Sequence, residues 1–283
     1  MVRYLLTGAK GQLGREFERA LSELKVEFLA LDKQSLDITN FQLVMSVFKE
    51  YKPHVVINCA AYNLVDKAEE EFERALQVNC LGVANLALAC AEVNALLVHY
   101  STDYVFDGQK EGLYTEEDKP NPPNRYALSK YLGEVQIKNI WDKSLIFRTS
   151  WVYGRGTQNF LYKLTEWAKT RDYLKVACDE FSVPTHTKTI VKATLLSIKE
   201  GLTGLYHLVS SGYASRYEWA KEYFRLMGIK KFIYPAYQSE FNLPAKRARW
   251  SAMSNKLLSN TLNIEIEDWQ QALKEVIESG ELP

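Results

Sequence analysis

The sequence predicts an α/β fold: a doubly wound parallel sheet followed by a smaller C-terminal substrate-binding lobe. Short apolar strands alternate with longer amphipathic stretches through the first 150 residues, the rhythm of parallel strands joined by crossover helices. Gly8, Gly11 and Gly14 stand as Gly-x-x-Gly-x-x-Gly between the first strand and the first helix, where such a sheet carries its phosphate-binding turn. Beyond about residue 150 the texture changes: Trp151, Tyr153, Phe160, Tyr162 and Trp167 crowd together, and turn residues become frequent. The expected division is 1–150 for a Rossmann-like dinucleotide-binding domain and 151–283 mainly for the lobe, with segments near 174–200 returning to the sheet.

Each element has a local reason. Val2–Leu6 is an apolar strand, and Leu13–Leu24 places Phe17, Leu21 and Leu24 on one helical face. Glu27–Leu31 is the second strand, ending at Asp32. Asn40 is placed to cap a helix over Phe41–Lys49, and Lys52-Pro53 ends it. His54–Asn58 is a β-branched strand; Glu69–Ala95 is Ala- and Leu-rich and reads as one long helix. Leu96–Ser101 and Ser144–Thr149 are strands on either side of a helix over Tyr126–Ile140. Lys175-Val176-Ala177 is the candidate strand for a return to the main sheet.

Bulk properties narrow the function. The 35 basic residues balance 35 acidic ones, so no long-range field draws nucleic acid or membrane. No uninterrupted apolar run approaches the ~20 residues of a membrane span, and no signal peptide precedes the first strand. Cys59, Cys80, Cys90 and Cys178 form no Cys-x-x-Cys pair and have apolar neighbours; they read as small buried hydrophobes with reduced thiols, fitting a cytoplasmic protein. No metal-ligand spacing is present.

The glycine run reads as a dinucleotide site. Gly8 allows the tight turn, Gly11 lets a pyrophosphate approach the backbone, and Gly14 lets the helix pack closely on the strand. The helix N-terminus offers free N–H groups to the phosphates. Asp32, 18 residues after Gly14, is placed to hold a ribose hydroxyl. Its carboxylate favours NADH over NADPH, and Lys33 softens that preference. Asp37 either contacts the adenine ring or makes a turn. Asn58-Cys59-Ala60-Ala61 ends a strand with small residues, which lets a cofactor lie against the sheet or merely packs the core.

Tyr126 and Lys130 are separated by four residues and share one helical face. A phenol titrates near ~10; a nearby ammonium stabilises the phenolate, so Tyr126 can protonate a carbonyl oxygen as hydride reaches its carbon. Lys130 can also bind the nicotinamide ribose. Such a pair alone is common by chance; behind a dinucleotide fingerprint it gains weight. Thr102 lies in the strand end His99-Tyr100-Ser101-Thr102-Asp103-Tyr104, where its hydroxyl either orients the carbonyl or caps the strand end.

Taken in order, Gly8-x-x-Gly11-Gln12-Leu13-Gly14, Asn58-x-Ala60-Ala61, Tyr100-Ser101-Thr102-Asp103-Tyr104-Val105-Phe106-Asp107-Gly108, Tyr126-x-x-x-Lys130 and Arg148-Thr149-Ser150-Trp151-Val152-Tyr153-Gly154 resemble the extended short-chain dehydrogenases/reductases, and within them the dTDP-4-dehydrorhamnose reductase family. The resemblance runs through Asp179–Thr185 and Gly204–Leu208 and covers essentially the whole chain. It implies hydride transfer from NADPH or NADH to the C4 ketone of dTDP-4-dehydro-L-rhamnose, with Thr102, Tyr126 and Lys130 as the catalytic trio. It places Gly11, Gln12, Leu13, Asp32, Asp37, Ile38, Ala61, Tyr62 and Asn63 along the cofactor. It places Val65, Thr102, Asp103, Tyr104 and Trp151 near the sugar, and an indole face suits a sugar's C–H surface. Some members form homodimers through a magnesium site; the chemistry itself implies no metal. The chain departs from the family at Ala245-Lys246-Arg247-Ala248-Arg249, which lacks the Arg-Pro of many members. Arg247 and Arg249 either hold the diphosphate or form a solvated turn.

Three other readings share this scaffold. An epimerase or dehydratase would return the hydride to its own substrate, and dehydratases carry an Asp-Glu pair where Asp103-Tyr104 stands here. A reductase could act on another nucleotide sugar. A non-catalytic subunit, like the family relative that regulates methionine adenosyltransferase, would have no need of an intact Thr102, Tyr126 and Lys130.

Overall fold

The computed structural model describes residues 2–282. The chain begins with β1 (Arg3–Thr7), turns at the glycines into α1 (Gln12–Glu23) and returns as β2 (Glu27–Leu31). Asn40 caps α2 (Phe41–Tyr51) by accepting the Leu43 N–H, and β3 (Val55–Asn58) follows. After α3 (Phe72–Leu76) and α4 (Gly82–Val93) come β4 (Leu96–Thr102), α5 (Arg125–Ile140) and β5 (Ser144–Thr149).

The remaining chain is more broken. It runs through β6 (Val152–Tyr153), α6 (Phe160–Thr170), β7 (Tyr173–Ala177), β8 (Phe181–Ser182) and β9 (Thr185–His186) to α7 (Thr187–Lys199) and β10 (Gly204–His207). It ends with β11 (Ala214–Ser215), α8 (Arg216–Met227), β12 (Phe232–Ala236), α9 (Lys256–Leu262) and α10 (Trp269–Glu278).

Six parallel strands form the main sheet in the order β10-β5-β4-β3-β1-β2. Alternate residues of each strand point to opposite faces. Leu6, Ile57, Val98 and Phe147 pack on one face with Phe17 of α1 and Ile190 of α7. Leu5, Val56, Leu97 and Ile146 pack on the other with Val44 and Phe48 of α2, Leu86 of α4 and Ile137 of α5. Strand order reverses between β1 and β3, so their C-terminal ends splay into a crevice, the place where such sheets bind ligands.

Two expectations are corrected. Lys175–Ala177 does not join the main sheet: β7 pairs with β12 in a separate two-stranded sheet, and the sixth main strand is β10, which pairs with β5. A short apolar stretch specifies a strand but not its partner. The long helix is also not uniform. Gln77–Leu81 is a π turn between α3 and α4, of the kind often found at functional sites. It turns Asn79 inward, where the side chain accepts the Tyr62 N–H at 2.8 Å and donates to the Tyr62 carbonyl at 2.9 Å and to Ser129 Oγ at 3.0 Å. A Cβ on Gly133 would lie 2.2 Å from the Asn79 carbonyl oxygen, so α5 approaches this turn only because residue 133 is glycine. Phe72–Val93 has the length and apolarity of a membrane span among the described residues, but its buried side chains Val83, Leu86, Ala87 and Cys90 form core with α2 and the sheet.

The four cysteines are free; Cys80 and Cys90 are buried, whereas Cys59 and Cys178 are only partly so.

Candidate active site

Two adjoining cavities of about 360 and about 410 Å³ open at the C-terminal edge of the sheet and share Gly11, Cys59, Ala60, Ala61, Asn63 and Gln158. The second holds Gly8, Asp32, Asp37, Ile38 and Tyr62. The first holds Gln12, Leu13, Val65, Thr102, Asp103, Tyr104, Tyr126, Lys130 and Trp151. Residues drawn from five strand ends thus meet in one crevice.

The glycines act through backbone contact. Gly8 has φ +66°, and a Cβ there would lie 2.5 Å from the Ala60 nitrogen; one on Gly14 would lie 2.4 Å from the Gly8 carbonyl oxygen. Gly14 therefore lies outside both cavities and sets the packing beneath them. Gly11 is the N-cap of α1 and makes no side-chain cap hydrogen bond, so N–H groups of the first turn are free to receive phosphate oxygens. This uncapped, unobstructed helix end fits a dinucleotide pyrophosphate. Asp32 accepts the N–H groups of Gln34 and Ser35, each at 3.0 Å, and forms an ion pair with Lys10. Hydrogen bonding from Lys10, then from the Ser35 backbone, holds its carboxyl down at about 2. Lys33 and Arg74 line the same cavity. Asp37 spends one oxygen on the Thr39 N–H and hydroxyl, at 3.0 and 2.8 Å, the turn reading, while still facing the cavity.

Asn124 caps α5 by accepting the Ala127 N–H at 2.8 Å, which starts the helix one turn before Lys130. Lys130 Nζ donates to the Tyr100 carbonyl at 2.6 Å. Burial lowers Lys130 to about 8, opposed by the Glu134 carboxylate and by Cys59. Tyr126 behaves differently from the expectation of an acidified phenol. Burial, reinforced by the Asp103 carboxylate, pushes its phenol up, and the Thr102 hydroxyl opposes this. Lys130 is turned to Tyr100 instead. A phenol that holds its proton is the form a proton donor needs before transfer.

Asp103 is buried and accepts hydrogen bonds from Ser182 Oγ at 2.7 Å, Ser251 Oγ at 2.6 Å and Thr102 Oγ1 at 3.2 Å. Burial raises it from 3.8 to about 6 despite these hydroxyls and Arg216. The raised folded value means that the native state favours neutral Asp103. Stability is full below about 4 and falls as pH rises through about 6, by on the order of 3 kcal/mol. Asp103→Asn is expected to remove that loss. The difference in Tm between variant and wild type should grow over this window and level off above it; a pH-independent difference would show that Asp103 is ionised throughout.

Trp151 takes a left-handed backbone, φ +40°, and stacks on Trp219 with ring centroids 5.6 Å apart. Its indole nitrogen is buried without a hydrogen-bond partner. Arg216, which the sequence did not single out, lines the first cavity with its guanidinium 3.7 Å from the Trp151 ring centroid. Glu180 accepts from Tyr104 Oη at 3.2 Å and from Arg216 Nη2 at 3.4 Å. The readable signal was Ser215-x-x-Glu218, a capping box that starts α8 and puts Arg216 at its first turn.

Arg247 and Arg249 are not brought to the cavities. Arg247 donates to both Asp66 oxygens, at 3.0 and 2.8 Å, and to the Ala245 carbonyl at 2.9 Å. Burial alone would lower its pKa; Asp66 reverses this and raises it. The pair ties the C-terminal segment to the loop that carries Val65. Arg249 is exposed. The diphosphate contact expected of these two is therefore not what their geometry offers, and Arg216 is the arginine that faces the first cavity. Among the described residues, no group of three or more His, Cys, Asp or Glu is placed to hold a metal ion.

The family model described as the RmlD substrate binding domain matches residues 2–281. The chain is 34% identical to the dTDP-4-dehydrorhamnose reductase of Escherichia coli K12, with 96% of each chain covered. It is 35% identical to the spore coat polysaccharide biosynthesis protein SpsK of Bacillus subtilis, with 98% of each covered. A crystal structure of a dTDP-4-dehydrorhamnose reductase from Bacillus anthracis in complex with NADP superimposes with a TM-score of 0.96 at 35% identity, over 99% of this chain and 100% of that one. A Thermus thermophilus UDP-glucose 4-epimerase, 19% identical, shares the fold alone. The chain belongs to the RmlD substrate-binding-domain family, that of the dTDP-4-dehydrorhamnose reductases.

Proposed function

We propose that this chain reduces the C4 ketone of dTDP-4-dehydro-L-rhamnose to dTDP-L-rhamnose, using NADPH or NADH, in the cytoplasm. The observation that carries the proposal is the meeting of Thr102, Tyr126 and Lys130 in a cavity continuous with the glycine-turn cavity. When bound, the reduced nicotinamide supplies the hydride. Gly11, Gln12 and Leu13 would hold its pyrophosphate and Asp32 its adenosine ribose, with Ala60–Asn63 lining the remaining wall of its cavity. Thr102 and Tyr126 donate hydrogen bonds to the substrate carbonyl oxygen, and Tyr126 gives up its proton to that oxygen. Lys130, buried and fixed by the Tyr100 carbonyl, stabilises the resulting phenolate and holds the nicotinamide ribose. Trp151 borders the sugar beside Val65, Asp103 and Tyr104. Arg216 lines the same cavity against the Trp151 ring.

The test is direct. Purified protein supplied with dTDP-4-dehydro-L-rhamnose and NADPH or NADH should consume reduced cofactor and yield dTDP-L-rhamnose by NMR. No net consumption would point to an epimerase or dehydratase and overturn the proposal. A second reading, a reductase of another dTDP-4-keto sugar, is favoured by 36% identity to a Streptomyces niveus dTDP-4-keto-6-deoxy-D-glucose reductase over 80% of this chain; which of the two keto sugars supports consumption of the reduced cofactor decides between them.

Cofactor choice gives another test. Asp32 repels a 2′-phosphate, whereas Lys10 beside it attracts one. Asp32→Ala is expected to raise the NADPH-to-NADH ratio of kcat/KM roughly tenfold, equivalent to about 1.4 kcal/mol, and Lys10→Ala to lower it. An unchanged ratio in Asp32→Ala would show that Asp32 does not read the ribose.

A further inference from the structure

One buried charged pair lies behind the cleft and is not used by its chemistry. The Glu134 and Arg148 side chains are 0% and 3% exposed. Arg148 Nε donates to Glu134 Oε1 at 3.0 Å and Nη2 to Oε2 at 2.7 Å, and the guanidinium packs 5.2 Å from the Phe106 ring centroid. Such a pair is a poor way to gain stability, because desolvating two charges offsets much of their attraction and apolar residues of similar shape often do as well. Its position is more informative than its energy.

Tyr126, Lys130 and Glu134 fall at successive four-residue steps on α5, so they share one face. Arg148 lies on β5, directly before Thr149, Ser150 and Trp151, which line the first cavity. The pair therefore joins the helix that carries the phenol and ammonium to the strand that leads into the cleft.

The surroundings of Lys130 show what the carboxylate does there. On its own helix Tyr126 and Glu134 stand four residues to either side; Cys59, just after β3, and His99 and Tyr100 of β4 lie around it; and Arg148 of β5 stands behind Glu134. Burial pushes the Cys59 thiol and the Tyr100 phenol up and the His99 imidazole down, leaving all three neutral. Glu134 is the anion in this set. We propose that Glu134, clamped by Arg148 one turn along α5 from Lys130, is a positioning residue that keeps charged the Lys130 ammonium held by the Tyr100 carbonyl. This rests on the reading of Lys130 as part of the reductase site.

The test reads Lys130 itself, without substrate or cofactor. In full-length protein labelled with 13C-lysine, the Lys130 Cε resonance is assigned by its loss in Lys130→Met and titrated with pH. Glu134→Gln is expected to lower the Lys130 titration midpoint by about one pH unit, and Arg148→Met not to lower it. A merely structural tie predicts otherwise: loosening admits water and moves Lys130 up towards its ordinary value of about 10.4 in both variants. An unmoved or raised midpoint in Glu134→Gln overturns the proposal. If Glu134→Gln does not fold, the double variant Glu134→Leu/Arg148→Met removes both charges of the pair and should show a smaller shift in the same downward direction. In the enzyme, the alkaline limb of the kcat profile should move with it. A shifted Lys130 in a protein that does not reduce the dTDP-keto sugar would sink the functional reading alone; normal turnover with an unmoved Lys130 would sink this one alone.

Discussion

Tyr126→Phe is expected to lower kcat by at least ~10²-fold, the usual scale for loss of a positioned general acid, or about 2.7 kcal/mol or more of barrier. The substitution removes one oxygen and keeps the ring. That ring is buried and packs edge-on against Tyr104, with centroids 6.2 Å apart and an interplanar angle of 89°, so the fold and the neighbouring Lys130 should persist. Thr102 still orients the carbonyl, which leaves residual turnover. Cofactor affinity, followed by nicotinamide fluorescence, should stay within about twofold of wild type, because the glycine turn carries most of that binding. Turnover near the wild-type rate would remove Tyr126 from the proton-donor role and leave Thr102 or a water as the acid.

Gly8→Ala is expected to cost about 2–5 kcal/mol in unfolding free energy, combining left-handed strain with overpacking, and to abolish measurable cofactor binding. Gly8 has φ +66°, and the new Cβ would meet Ala60 N at 2.5 Å, Cys59 C at 2.6 Å and Cys59 O at 2.7 Å. These are backbone atoms beside the end of β3, and they cannot swing aside as a side chain would. Relief requires β1 and β3 to separate where the strand order reverses, which deforms the floor shared by both cavities. Gly112→Ala is the control. Gly112 has φ +85° with nothing within 4 Å of an added Cβ, so it should lose only the ~1–2 kcal/mol of left-handed strain. Equal losses in the two variants, read by denaturant unfolding, would show that the Gly8 contact does not matter.

The cleft was legible where its residues depend on near neighbours. Gly8 and Gly14 are dictated by a turn of a few residues, and Tyr126 and Lys130 by four-residue helical spacing. Asn40 announces α2 because a cap is satisfied three residues away. The continuous apolar runs of β1, β3, β4 and β5 announce a sheet buried on both faces. The π turn at Gln77–Leu81 was not legible. Its local composition is that of a good helix, and what bends it is a contact of Asn79 with Tyr62 and Ser129, 17 and 50 residues distant.

What the amino-acid sequence determined by itself was the alternation of strands and helices through the first 150 residues and the glycine turn after the first strand. Each of these follows from steric and hydrogen-bonding demands that adjacent residues meet or fail to meet. What only the tertiary structure decided was pairing. β7 chose β12 rather than the main sheet. Arg247 chose Asp66, 181 residues away, over an open cleft, Arg216 came to Trp151, and Lys130 turned to the Tyr100 carbonyl with Glu134 behind it. A charge or a strand edge carries no mark of its partner, because many partners satisfy it equally well. Which one it meets is settled by how the helices and sheet bury their apolar faces, and that packing set the protonation of Tyr126, Lys130 and Asp103.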